Sequence, residues 1–159
     1  MRSVPIVAWL LSSLTAGGAA AQSPRLHLPV EPACVTSPFG PRRAIGPHAP
    51  AAFHSGVDLR AQAGGTVFAV ASGQVIRIRR RGPGGLEVVV QHSHYTAIYS
   101  HLGSVTPALA LGRIRVSGGD PIGVVGRTGI TYGTHLYFEI LVGGKPVDPQ
   151  PLLGLHACS

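Results

Sequence analysis

The run Thr134-His135-Leu136-Tyr137-Phe138-Glu139-Ile140 alternates polar and apolar residues. Extended backbone sends successive side chains to opposite faces. Leu136, Phe138 and Ile140 therefore form a core face, and His135, Tyr137 and Glu139 an open one. That open face carries an imidazole, a phenol and a carboxylate, groups that bind a metal, share a proton or hold a substrate. Upstream, His54 and Asp58 are four residues apart, which keeps them on one face. An imidazole with a carboxylate is a common start of a zinc site, although this spacing alone also occurs on ordinary surfaces. His101 ends a β-rich run, where a lone histidine is more often structural than catalytic. Were His54, Asp58, His101, His135 and Tyr137 to converge, so many titratable groups would be costly to bury without a metal or a substrate.

The elements that must position these groups are short. Glycine (22) and proline (14) punctuate β-branched runs, and no long segment has helical periodicity. Strands are expected over 57–59, 66–70, 74–79, 86–92, 96–101, 121–125, 134–142 and 145–147. Gly82-Pro83-Gly84-Gly85 makes a hairpin loop, 91–95 the next turn, and 106–111 one short helical turn. This pattern predicts a mainly β, single domain of antiparallel sheets, a sandwich or sheet-over-sheet arrangement forming a groove, with few or no helices.

The chain of 159 residues opens with Arg2, an apolar run from Val4 to Ala16, and the small residues Ala19-Ala20-Ala21. This is the pattern of an export signal, residues 1–21, cleaved after Ala21. The apolar run is shorter than the roughly 18–20 residues that span a bilayer. Residues 22–33 are proline-rich and read as extended, leaving 34–158 as the β domain. Cys34 and Cys158 are the only two cysteines. In an exported chain they read as a disulfide closing the fold. Formal charge is +7, with its densest cluster at Arg77, Arg79, Arg80 and Arg81. Such a charge suits anionic envelope polymers, yet a solvated strand end explains the cluster more simply. No basic strip interleaved with aromatics points to nucleic acid.

Several ordered motifs resemble one family, the lysostaphin-type zinc endopeptidases that cut peptide cross-links of bacterial cell walls. They are Ser37-Pro38-Phe39-Gly40-Pro41-Arg42, Phe53-His54-Ser55-Gly56-Val57-Asp58-Leu59, Ala69-Val70-Ala71-Ser72-Gly73-Gln74-Val75 and Tyr99-Ser100-His101-Leu102. Gly123-Val124-Val125-Gly126-Arg127-Thr128-Gly129, the His135 strand and Gly144-Lys145-Pro146-Val147-Asp148-Pro149 complete the set. The resemblance implies one zinc held by His54, Asp58 and the second histidine of an HxH strand, with His101 and His135 as catalytic groups beside it. A zinc there would acidify its water and polarise a carbonyl while the imidazoles move protons.

This chain has Tyr137 where the resemblance implies that second histidine. A phenol with a reference pKa of about 10 must lose its proton to ligate. Two rescues are conceivable: His135 moves onto the metal, or His92 or His94 approaches. Alternatively, Tyr137 hydrogen-bonds to Asp58 or His54 in a metal-free groove. Two functions follow. One is an exported, zinc-dependent endopeptidase acting on peptidoglycan cross-links. The other is a degenerate cell-wall-binding or hydrolase-regulating module. Both imply a monomer that meets peptidoglycan peptides in the periplasm or outside the cell, with no stable membrane insertion after cleavage.

Overall fold

A computed structural model describes residues 26–44 and 51–159. The export signal expected over residues 1–21 lies outside the described residues. The described part of the proline-rich stretch forms no strand, but it is anchored. Val30 is buried, Leu28 packs on the core, and His27 N–H donates to the Val70 carbonyl at 2.8 Å.

Among the described residues twelve strands and two short α-helices follow one another: β1 Val35–Ser37, β2 Gly40–Arg42, β3 Ala52–His54, β4 Val57–Arg60, β5 Thr66–Phe68, β6 Gly73–Arg81 and β7 Gly85–Gln91. After these come β8 Thr96–Val105, α1 Pro107–Ala110, β9 Arg115–Val116, β10 Pro121–Val125, β11 His135–Val142, β12 Lys145–Val147 and α2 Pro149–Leu153. Ten strands share one antiparallel network whose main path runs β1-β4-β11-β8-β7-β6-β9. β5, β10 and β12 branch from the partners they pair with, and β2 and β3 form a separate ribbon. The domain is mainly β, as the glycine-punctuated pattern predicts. Instead of two separate sheets, one network turns over on itself.

The turn-over happens within β8. Its first half lies between β11 and β7, and its second half pairs with β10 through Leu102, Ser104 and Val105. Between Tyr99 and Leu102 it advances three residues while β7 advances two, from Val88 to Leu86. An extra residue of this kind is a β-bulge, which bends a strand and re-aims a side chain. His101 sits there, with φ 63°.

Inward faces of these strands make one core. Leu136, Phe138 and Ile140 are buried, as the alternation in β11 predicts, beside Val57, Leu59, Val88, Val90, Tyr99 and Leu102. β7 is buried on both faces, so it also buries Glu87. Arg79 Nε donates to Glu87 Oε2 at 2.7 Å, and Arg81 Nε lies 3.6 Å from the same oxygen. The arginine cluster is therefore more than the solvated strand end expected from sequence. Two of its members compensate a buried carboxylate.

Cys34 and Cys158, 124 positions apart in sequence, are joined, with Cα atoms 4.9 Å apart. Backbone bonds from Val35 to His156 and from Cys158 to Val35 support the closure. In the chain-entropy account a loop of this length contributes about 5 kcal/mol, less any strain. Reduction is expected to lower the melting temperature of the native protein. Thermal melts with and without reductant test this, and a thiol assay finding two reactive thiols in untreated protein would remove the disulfide.

Candidate active-site cleft

Register brings the chemistry together. In the ladder, Tyr137 on β11 faces Asp58 on β4 from one side and Ser100 on β8 from the other. His54 ends β3, and Gly56 lets β11 run close alongside the start of β4. A Cβ at Gly56 would stand 2.3 Å from the Phe138 carbonyl oxygen. Arg42, Glu87, Ser100, His101, His135 and Glu139 share the resulting cleft of roughly 410 Å³ with them. The five residues singled out by sequence therefore do line one cavity.

Asp58 is the hub. Its Oδ1 lies 3.4 Å from His54 Nε2 and 3.3 Å from His135 Nε2, and its Oδ2 accepts from Arg42 Nη2 at 2.6 Å. Burial works to raise its pKa, but hydrogen bonds and charge from His135 and His54 outweigh burial and hold it well below the usual carboxylate range.

Each of the three histidines turns Nδ1 toward a backbone carbonyl. The partner is Pro38 for His54 at 2.8 Å, Thr128 for His101 at 2.8 Å and Gly133 for His135 at 3.2 Å. For His101 an Nδ1–H donated to that carbonyl leaves the Nε2 lone pair to the cleft, while His54 and His135 turn Nε2 to Asp58 Oδ1. The rings of His101 and His135 meet edge to face, 4.9 Å between centroids. Burial lowers the His101 pKa more than the Thr128 carbonyl raises it, which keeps that ring a neutral proton acceptor at pH 7.

Tyr137 behaves differently from the histidine implied by the resemblance. Its hydroxyl donates to Glu139 Oε2 at 3.0 Å, and burial followed by the Glu139 charge pushes its pKa far up. Burial also raises Glu139, against the opposing effect of the Tyr137 bond. The expected alternative partners, Asp58 and His54, are thus replaced by Glu139. His92 is no rescue. It is held by the Ser72 carbonyl at 2.9 Å and stacked on Tyr95, and neither it nor His94 lines the cleft.

Zinc in catalytic sites takes three protein ligands and a water. Here His54 and Asp58 are oriented as ligands are, but the third position holds a protonated phenol tied to Glu139. Among the described residues no three His, Cys, Asp or Glu side chains are placed to hold a metal. The donor set does not fit a resident zinc.

Sequence reasoning missed Arg42 as part of the site, and it missed Glu87 with Ser100, whose Oγ donates to Glu87 Oε1 at 3.0 Å beneath the histidines. Arg42 belongs to the Ser37–Arg42 motif, which was one signal for it. Glu87 lies alone in a strand rich in valine, and an isolated carboxylate there marks a buried ion pair.

The sequence profile of peptidase family M23 matches residues 52–149. The chain belongs to peptidase family M23. It is 36% identical over 116 residues to the DD-carboxypeptidase/endopeptidase Mpg of Neisseria meningitidis serogroup B, covering 72% of this chain and 26% of that protein. With the peptidoglycan DD-endopeptidase ShyA of Vibrio cholerae it shares 35% over 115 residues, again 72% of this chain and 26% of the relative. A crystal structure of a zinc-containing peptidase from Vibrio cholerae superposes with TM-score 0.66 at 32% identity, covering 79% of this chain and 38% of that one. The chain spans about a quarter of the length of the curated relatives it matches.

A depressed carboxyl pKa contributes stability above the unfolded value near 3.8, and that contribution is lost as pH falls through the folded value. Asp58→Asn is accordingly expected to lower the melting temperature at neutral pH and to flatten its decline between about pH 5 and about pH 2. Melts of both proteins across that range check the sign.

Proposed function

We propose that this chain is an exported M23 domain that engages the peptide portion of peptidoglycan in the Asp58–His101–His135 cleft. One observation carries the reading: three imidazole Nε2 atoms and a carboxylate open into a single cleft of an M23 fold. The relatives named as peptidoglycan endopeptidases support the substrate class. The apolar leader and the disulfide support export.

The cleft suits an extended peptide. Ile130 and Tyr132 stand exposed at its rim, where small apolar side chains of a wall peptide find contact. His101 Nε2 accepts a peptide N–H, and its fixed ring, anchored to Thr128, sets where that donor must lie. Arg42 and Arg81 attract the carboxylates of a stem peptide.

A second reading, hydrolysis of the bound peptide, is favoured by the names of the relatives and by the facing pair His101 and His135. In that reading His101 Nε2 takes a proton from a water whose oxygen bonds to the peptide carbonyl carbon, and returns it to the nitrogen as the C–N bond breaks, with the His135 ring beside it. The cation that would steady the oxyanion is the component for which the donor set here falls short.

Purified mature protein is expected to sediment with isolated sacculi and to be displaced by soluble muropeptides. His101→Ala and His135→Ala should each weaken that binding about three- to tenfold, the worth of one hydrogen bond. Absence of sedimentation, or binding indifferent to both variants, ends this reading. Release of new muropeptides that a chelator stops would establish the hydrolytic one.

A further inference from the structure

We propose that the Arg42 guanidinium is the resident cation of this site, standing between Asp58 and His54 and making the cleft hold a wall peptide without cutting it. This rests on the cleft being the peptide site.

Nη2 of Arg42 lies 2.6 Å from Asp58 Oδ2, 2.7 Å from Ser37 Oγ, and against the His54 ring, 2.8 Å from Nε2 and 2.9 Å from Nδ1. Ser37 is itself paired with Asp58 in the β1–β4 ladder, so the arginine is received by a framed nest. That nest is electron-rich. His54 turns Nδ1 to the Pro38 carbonyl and Nε2 to Asp58 Oδ1, 3.4 Å away. The Asp58 carboxylate is the negative centre of the nest, and a charge so enclosed needs a cation held beside it. Arg42 is that group, and one nitrogen reaches the carboxylate and the imidazole together.

A guanidinium answers the charge but not the chemistry. It stays protonated, offers directional donors, and has no open coordination position from which to acidify a water. A metal entering here must expel Arg42 from an ion pair, and the Tyr137 hydroxyl, committed to Glu139, offers it no ligand. Asp58 and His54 thus have a use that requires no metal. They fix a cation against which a peptide carbonyl or carboxylate can be held.

The test is zinc retention by the full-length mature protein after incubation with excess zinc and desalting. The native chain should keep less than about a tenth of an equivalent, and the double variant Arg42→Gln, Tyr137→His about one equivalent, the stoichiometry of a three-ligand site. Arg42→Gln removes the charge and keeps an amide donor on a shorter side chain. If the double variant does not fold, the native content and zinc titration of Tyr137→His decide the matter. In that titration Arg42 should hold the apparent affinity at least about tenfold below that of a three-ligand site.

Native protein retaining about one zinc overturns the proposal. So does a folded double variant as metal-poor as the native chain, or a Tyr137→His chain that binds zinc undiminished. Sacculus sedimentation on the same preparations separates the two readings. Lost sedimentation with the expected zinc pattern removes the wall ligand and leaves the role of Arg42. Zinc-loaded native protein that still sediments does the reverse.

Discussion

One carboxylate orders this site. Asp58 is mostly withdrawn from water, and a charge so placed is tolerated only when its partners are held in position. Arg42 from the β2–β3 ribbon, His54 from the end of the same ribbon, and His135 from β11 all turn toward it. Among the described residues no strand ladder joins the ribbon to the ten-stranded network. The contacts of Arg42 and His54 with Asp58 tie its functional end to the sheet.

A second carboxylate works in parallel. Glu87, buried in β7, takes Arg79, Arg81 and Ser100 as partners and forms the floor beneath His101 and Tyr137. The sheet therefore carries two negative centres, each neutralised by arginine, with the imidazoles between them. In that field Tyr137 and Glu139 share a proton-bearing hydrogen bond, and burial holds both toward their neutral forms. A histidine at position 137 would face Asp58 with a lone pair. The phenol instead turns along its own strand. The difference from the resemblance is thus a change in which way one side chain reaches, carried by a single residue.

Much of the fold was legible because it repeats locally. The two-residue alternation of β11 announces both its core face and its open face, and Gly82–Gly85 announces the hairpin between β6 and β7. Strands of two or three residues, such as β1, β2, β3 and β9, are too short for any period to show. The disulfide was legible from cysteine number and placement. Arg42 was not read as a site residue, since its role depends on a turn that brings it onto Asp58, sixteen positions away. Nothing in local spacing distinguishes such an arginine from a solvated one. The Tyr137–Glu139 bond was open to reading, because i and i+2 share a strand face, but the implied metal drew attention across the sheet rather than along it. His101 was visible as a residue, while the bulge that aims it arises only from the pairing of β8 with β7 and β10.

That bulge has a thermodynamic side. A residue with a Cβ held at φ 63° is strained by roughly 1–2 kcal/mol relative to glycine, which adopts the left-handed region freely. The sheet would be more comfortable with no side chain at position 101, since the backbone there needs only to bend. The ring is kept at the expense of the scaffold that carries it. His101 is therefore a place where the fold and the cleft ask for different residues, and the chain has answered the cleft.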